Sequence, residues 1–218
     1  MLQNWESLTF LHWRCDPATM QKRLPPGLEI DTFDGCAWVG LVPFRITDLR
    51  PARAPRLPWI SNFPETNVRT YVRGPDGEPS VWFFTLETAR LAAVLAARAS
   101  FGLPYHWARM RVRREENSVV YTSSRRRART DIRIVRGDPV PARELEHFLT
   151  ARFRLHAMRF GRLVYADVEH ETWPLRAARV AKIEETLLRA AGITVSGEPL
   201  AHFAEIVHTR IGAPKLAR

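Results

Sequence analysis

The order of turn and strand signals constrains this sequence more than any other feature. Short alternating or β-branched runs follow one another, and tight-turn sequences such as Asp34-Gly35 and Gly74-Pro75-Asp76-Gly77 separate them. Such turns are typical of β-hairpins. No strand–helix–strand rhythm recurs, which argues against a parallel, doubly wound sheet. The pattern predicts an α+β fold built on a strongly bent antiparallel sheet or an open β-barrel.

About ten strands and three or four helices follow from these signals. The predicted strands are 6–14, 28–33, 36–46, 65–73, 80–86, 107–113, 118–124, 129–135, 162–169 and 201–211. Single helices are predicted after the cap Asp16, over 87–99 with Thr88 as cap and Gly102 as end, over 144–153, and over 176–191. Residues 50–64 contain four prolines and predict an extended loop.

Length and composition predict a single domain over residues 1–218, because no shift in composition marks a boundary. No apolar run is long enough for a transmembrane helix, so no membrane partner is expected. The first residues lack the pattern of a signal peptide. Cys15 and Cys36 form neither a metal-ligand spacing nor a disulfide framework. These features favour a cytoplasmic protein, and a homo-oligomer is compatible with them.

The net charge of +10 raises the question of a nucleic-acid partner. Only Lys22, Lys182 and Lys215 are lysines, and the arginines are spread along the chain except for Arg125–Arg127 with Arg129. No aromatic residues are interleaved in that cluster, as a stacking platform would require. A solvated strand end is the favoured interpretation and a polyanion site the alternative. Specific nucleic-acid binding is not expected.

Several catalytic signatures are absent. The sequence has no nucleophile elbow, no phosphate-binding P-loop and no dinucleotide-binding glycine motif. His202 and His208 are six residues apart on one predicted strand, about 20 Å at the usual rise per residue, and cannot share a metal. No metal and no cofactor are expected.

The strand predicted over 65–73 carries a candidate site. Alternation places Glu65, Asn67, Arg69 and Tyr71 on one face. If that face meets solvent, the strand is an ordinary half-buried one. If the sheet curls, four polar groups converge in a cavity, as a small-molecule site requires.

Two later segments complete the predicted pocket. Trp82, Phe84 and Leu86 share one face of the next predicted strand and would form its apolar wall. The stretch from Arg98 to His106 ends a helix at Gly102 and re-enters the sheet with Tyr105 and His106 directly after the bend. A helix stop with a packing aromatic residue is the structural alternative.

Five ordered segments carry a family resemblance: LPPGLEIDTFDGCAWVGLVPF, NFPETNVRTYV, WFFTLETA, ARASFGLPYHWARM and the WPL that begins at Trp173. Over nearly the whole chain the sequence resembles the YqjF-like bacterial family of domain of unknown function 2071. That family is similar to the acetoacetate decarboxylases. The resemblance implies a cone-like β-barrel that encloses a pocket.

The resemblance also limits the chemistry. Acetoacetate decarboxylases carry a pair of lysines, of which the first forms a Schiff base with the keto acid and the second depresses its pKa. This chain matches their motif at Arg98, Gly102 and Pro104, but has Tyr105 and His106 where the lysines would stand. Schiff-base decarboxylation is therefore not expected, and whether the protein is an enzyme stays open.

The residues then suggest roles within one hypothesis. Arg69 or Arg98 would hold an anionic or carbonyl ligand, together with Asn67, Tyr71 and Trp82. Glu65 or His106 would be the acid or base, and Tyr105 a hydrogen-bond donor. The reaction class would be proton transfer or decarboxylation of a carbonyl compound without a Schiff base. The alternatives are a non-catalytic small-molecule-binding protein and a basic nucleic-acid-binding protein.

Overall fold

The computed structural model describes residues 1–51 and 61–217. Most of the predicted proline-rich loop, including Trp59, therefore lies outside the described residues. Within them the chain forms fourteen strands: β1 (Leu2–Cys15), β2 (Glu29–Ile30), β3 (Ala37–Arg50), β4 (Phe63–Arg73), β5 (Pro79–Thr88), β6 (Tyr105–Trp107), β7 (Arg109–Arg114), β8 (Ser118–Arg125), β9 (Ala128–Pro139), β10 (Arg154–Arg159), β11 (Arg162–His170), β12 (Arg176–Glu185), β13 (Leu200–Ile211) and β14 (Lys215–Leu216).

The described helices are short and few: α1 (Pro17–Gln21), α2 (Leu91–Phe101), α3 (Glu144–Thr150) and α4 (Leu187–Ala190). No helix in the described part of the chain has the length and apolar character needed to cross a membrane. The protein is mostly β-sheet, as the turn pattern predicts.

One sheet contains the strands, and its order brings distant parts of the chain together. The path runs β14-β11-β10-β5-β4-β3-β1-β13-β12-β9-β8-β7, with β2 on β4 and β6 on β5. In addition β11 pairs with β13, so the strands from β11 through β5 and β1 to β13 close on themselves. The pairings are antiparallel except for β5 with β6 and β5 with β10, which are parallel. The predicted sheet with few helices is thus confirmed, and it contains two parallel pairings beside the predicted antiparallel ones.

The remaining strands cover the outer face of this ring. Side chains of β8, β9 and α4 pack against Leu11 of β1, Leu41 of β3 and Val68 of β4 in one apolar cluster. Inside the ring, a second cluster contains Tyr71 of β4 and Leu155 of β10. Strand β4 is therefore buried on both faces, which excludes the interpretation that its polar face meets solvent.

Several helices and turns begin or end at the capping and glycine residues that the sequence predicts. Asp16 caps α1 by accepting a hydrogen bond from the Thr19 backbone N–H at 2.7 Å. Asp34 and Gly35 both have positive φ, as a tight hairpin turn requires. Gly102 ends α2 in the left-handed conformation.

Two predictions about elements are wrong. The segment predicted as a helix over 176–191 is strand β12 followed by α4, because pairing with β9 overrides the helical propensity of its Ala, Arg and Glu residues. Helix α2 begins at Leu91, so Thr88 does not cap it and lies in β5. Strand β10 was not predicted.

Gly102 also allows the end of α2 to lie close to the backbone of β10, and this close contact can be tested. A Cβ atom at Gly102 would collide with the backbone carbonyl of Met158, while a Cβ atom at Gly77, which also has positive φ, would meet nothing within 4 Å. We expect Gly77→Ala to lower the free energy of unfolding by about 1 kcal/mol and Gly102→Ala by roughly 3 kcal/mol or more. Urea denaturation of both variants measures this, and equal losses would contradict the clash.

Candidate functional site

A cavity of about 70 Å³ lies inside the closed part of the sheet. Glu65, Asn67 and Arg69 of β4 all line it, so the shared face predicted from alternation is found there. These side chains are almost fully buried, with exposed fractions of 4% for Glu65 and 8% for Arg69. A strand presents alternate side chains about 7 Å apart, so β4 spreads three polar groups along one wall of the cavity.

Glu65 and Tyr105 form the first polar pair of this cavity. The Tyr105 hydroxyl donates a hydrogen bond to Glu65 Oε2 at 2.8 Å. Burial raises the pKa of Glu65 to about 8, although hydrogen bonds from Tyr105 and Asn67 act in the opposite direction. Burial, together with the neighbouring Glu65 carboxylate, raises the pKa of Tyr105 well above its ordinary value. Near neutral pH Glu65 is therefore largely protonated and Tyr105 is a phenol.

Arg69 forms the second polar group, and its surroundings lack a counter-ion. Its Nη2 donates to the Tyr71 hydroxyl at 3.4 Å and to the Leu149 carbonyl oxygen at 3.2 Å. Its guanidinium also lies over the rings of Phe10 and Tyr71, at 5.4 and 5.6 Å. Arg69 Nε has no hydrogen-bond partner, and no carboxylate of the described residues forms an ion pair with Arg69.

Tyr71 supports Arg69 from behind and does not line the cavity. Its hydroxyl lies 2.6 Å from His12 Nε2, and both side chains are buried. Burial, and then the charge of Arg69, lower the pKa of His12 well below its ordinary value. His12 is thus a neutral partner of Tyr71, and the predicted ligand contact of Tyr71 is replaced by a supporting one.

The apolar wall predicted on β5 is wrong in detail. A β-bulge interrupts the pairing of β4 with β5, where Val68 pairs with Thr85 and the next residue, Arg69, pairs with Phe83. The extra residue, Phe84, reverses the alternation. Val81, Phe83 and Leu86 therefore line the cavity, while Trp82 and Phe84 do not.

Two further predicted site residues lie elsewhere. Strand β6 pairs with β5 so that Tyr105 is opposite Leu86 and His106 is opposite Glu87. Paired residues point to the same face, so His106 points away from the cavity. Arg98 is exposed on α2, and its Nε donates to the Tyr105 carbonyl oxygen at 2.7 Å. Arg98 helps to position Tyr105 and does not reach the cavity.

The cavity has lining residues that the sequence interpretation missed. Arg152 follows α3 and donates from Nη1 to Asp31 Oδ2 at 2.6 Å, so its charge is paired. His170, Trp5 and Trp173 form an aromatic wall, in which the two indoles stack at 5.9 Å. Of these residues, only Trp173 belongs to a segment that carries the family resemblance. No local sequence pattern indicates that Arg152 lines a cavity.

Glu87 and the arginine cluster occupy the opposite side of β5. Buried Glu87 pairs with Arg125 Nε at 2.5 Å and also accepts from the Ser123 hydroxyl. Arg126 and Arg127 form the exposed turn after β8 and border a surface groove with Trp107 and His106. An aromatic residue thus lies beside the cluster, although none is adjacent to it in sequence.

The described residues contain no group of three potential metal ligands. The chain's three lysines lie outside the cavity. Lys22 follows α1 at the surface, while Lys182 and Lys215 are paired with Asp131 and Asp167 at 2.5 and 2.7 Å.

Solved structures define the class of this fold. Acetoacetate decarboxylase from Legionella pneumophila superposes with a TM-score of 0.72 at 14% identity, covering 100% of this chain and 88% of that one. The enduracididine biosynthesis enzyme MppR in complex with pyruvate gives 0.71 at 13% identity, covering 99% and 89%. The protein therefore has an acetoacetate decarboxylase-like fold.

The sequence itself is more closely matched by an uncharacterised family. The profile of DUF2071, described as an uncharacterized conserved protein, matches residues 2–208. The uncharacterized protein YqjF of Bacillus subtilis is 34% identical over 212 residues, covering 94% of this chain and 87% of that protein. The chain belongs to the DUF2071 family.

The buried Glu65 generates a prediction about pH. The pKa of Glu65 is about 8 in the folded chain, against an ordinary value of 4.5. Between these two pH values the folded chain therefore retains a proton on Glu65 that the unfolded chain has released. Stability therefore falls as pH rises through this window, by at most about 1.4 kcal/mol per pH unit.

Replacing Glu65→Gln should remove that fall, so that the variant's stability gain over the parent grows from pH 5 towards pH 9. Chemical denaturation across this range provides the measurement. The exposed glutamate variant Glu29→Gln is the control and should follow the parent. A Glu65→Gln profile parallel to the parent would show that Glu65 titrates normally.

Proposed function

We propose that this protein binds a small carboxylate-containing carbonyl compound in the cavity along β4, and that Glu65 transfers a proton to or from it. The observation that carries the proposal is the buried Arg69 guanidinium, which has only neutral partners in the described part of the chain. An unpaired buried charge is costly. A ligand carboxylate would supply the missing counter-ion and could accept two parallel hydrogen bonds.

Glu65 supplies the acid–base chemistry of this proposal. A group whose pKa is near the working pH can both donate and accept a proton efficiently. With a pKa of about 8, Glu65 holds a proton at neutral pH that it can deliver to a carbonyl or enolate oxygen. The hydrogen bond from Tyr105 fixes the orientation of the carboxyl group. No covalent attachment of the ligand is part of this chemistry.

The fold relatives support the class of ligand. The similar structures include an acetoacetate decarboxylase and an MppR complex with pyruvate, and both names refer to small oxo acids. We extend this class, but not the Schiff-base mechanism, to the present chain. The closed part of the sheet would then serve as the cone-like β-barrel around the pocket.

A non-catalytic binding protein is the second candidate. His106, one of the two predicted bases, faces away from the cavity, and no lysine reaches it. An anchoring arginine and an enclosed space suffice for a binder. Turnover of a carbonyl compound, or exchange of its α-protons with deuterium, separates an enzyme from a binder.

Arg69 provides the direct test of ligand binding. Replacing Arg69→Met keeps the apolar stem and removes the guanidinium. We expect the free energy of unfolding of the ligand-free protein to change little or to rise, and pyruvate binding to weaken by about 2–5 kcal/mol. Isothermal titration calorimetry measures the binding and thermal unfolding measures the stability.

The control is Arg73→Met, which changes an arginine of the same strand that is paired with Asp31 and does not line the cavity. It should leave pyruvate binding intact. If Arg69→Met unfolds the protein, or if it binds pyruvate as the parent does, then Arg69 is a structural residue and the proposal fails.

The absence of lysine from the cavity leads to a separate prediction. Borohydride added in the presence of acetoacetate should leave no covalent adduct on this protein, because an imine requires an accessible amine near the bound carbonyl. Intact-protein mass spectrometry measures this, with an acetoacetate decarboxylase as the positive control. A mass increase that maps to Lys22, Lys182 or Lys215 would contradict the prediction.

A further inference from the structure

A second chamber lies beside the cavity, beneath α2. This chamber has a volume of about 110 Å³, against about 70 Å³ for the first. The two share a boundary of six lining residues, which are Gln3, Ile46, Leu103, Tyr105, Leu155 and Ile211. The space around Glu65 and Arg69 and the chamber beneath α2 are thus direct neighbours, separated only by these shared side chains.

The second chamber is apolar and has been left unfilled by small side chains. Ala93, Ala96, Ala97 and Ser100 line it from α2, at a spacing that places them on one helix face. Phe101 closes it at the end of α2, and Leu49 of β3 and Phe63 of β4 line it from the sheet. A larger residue at Ala97 would fill the space, whereas the alanines keep it open.

The two chambers differ sharply in chemistry. The first contains Arg69, which has no counter-ion among the described residues, and the side chain of Asn67, whose Oδ1 has no partner among them although the residue is only 4% exposed. A polar ligand group could form hydrogen bonds with these atoms. Tyr105 lies between the chambers, with its hydroxyl on Glu65 and its ring against the apolar side.

We propose that the ligand is an amphiphilic straight-chain oxo acid. Its carboxylate contacts Arg69, and its alkyl tail extends past Glu65 and Tyr105 into the chamber beneath α2. This inference rests on the proposed function and adds the tail to it. Burying each methylene contributes roughly 0.8 kcal/mol, so the second chamber favours longer acids over pyruvate.

The test is a titration of the whole protein with pyruvate, 2-oxohexanoate and 2-oxooctanoate, followed by calorimetry. We expect affinity to rise by about tenfold for every two methylenes added, until the chamber is full. In Ala97→Phe, where the new ring occupies the chamber, 2-oxooctanoate should bind no better than pyruvate, and pyruvate should bind as in the parent. Ala92→Phe, on the exposed side of the same helix, should behave as the parent.

The outcomes separate the two proposals. Pyruvate binding that depends on Arg69, with no gain from a longer chain, overturns the tail and leaves the proposed function standing. A gain that persists in Ala97→Phe also overturns the assignment of the tail to this chamber. Failure of all three acids to bind overturns both proposals. Circular dichroism verifies that Ala97→Phe is folded, and Ala97→Leu replaces it in the same comparison if it is not.

Discussion

The pairing of β11 with β13 is the constraint on which the rest of the structure depends. Val168 opposite Ile211 and His170 opposite Thr209 join β13 to β11, which is otherwise linked to β10 and β14. Without this pairing the strands from β11 to β13 would not close, and the face of β4 that carries Glu65, Asn67 and Arg69 would meet water. With it, these polar groups lie in an interior where an uncompensated charge is costly and a carboxyl group keeps its proton.

The two ionisable groups of β4 are accommodated by different means. Glu65 avoids the cost of a buried charge by a raised pKa, and its neutral form is held by Tyr105. Arg69 instead contacts ring faces and neutral oxygen atoms. A core of apolar residues would be more stable at both positions. Polar groups that break the rule of an apolar interior without a compensating partner are expected where function requires them.

The sequence predicted side-chain positions correctly where regular strand alternation holds over several residues. It did not do so where a β-bulge inserts one extra residue. Strict alternation over Glu65–Tyr71 placed the polar face of β4, and the turn at Asp34-Gly35 gave a hairpin. The bulge at Phe84 moved Trp82 out of the cavity, and a second irregularity, between Val180 and Lys182, broke the alternation that would have marked β12 as a strand. Bulges have no reliable sequence signal, and partners such as Arg152 come from pairings that are distant along the chain.

The parallel pairing of β6 with β5 determines which of two adjacent residues, Tyr105 or His106, faces the cavity. It divides the two positions that resemble the lysine pair between opposite faces of the sheet, with Tyr105 on the cavity side and His106 on the side of Glu87. Only one of them can act on a ligand in the cavity. A phenol there cannot form an imine, but it donates to Glu65 and keeps that carboxyl group aligned. The reactive group of the proposed site is then the carboxyl proton of Glu65. Its reactivity depends on how well the closed ring of strands excludes water from that carboxyl group.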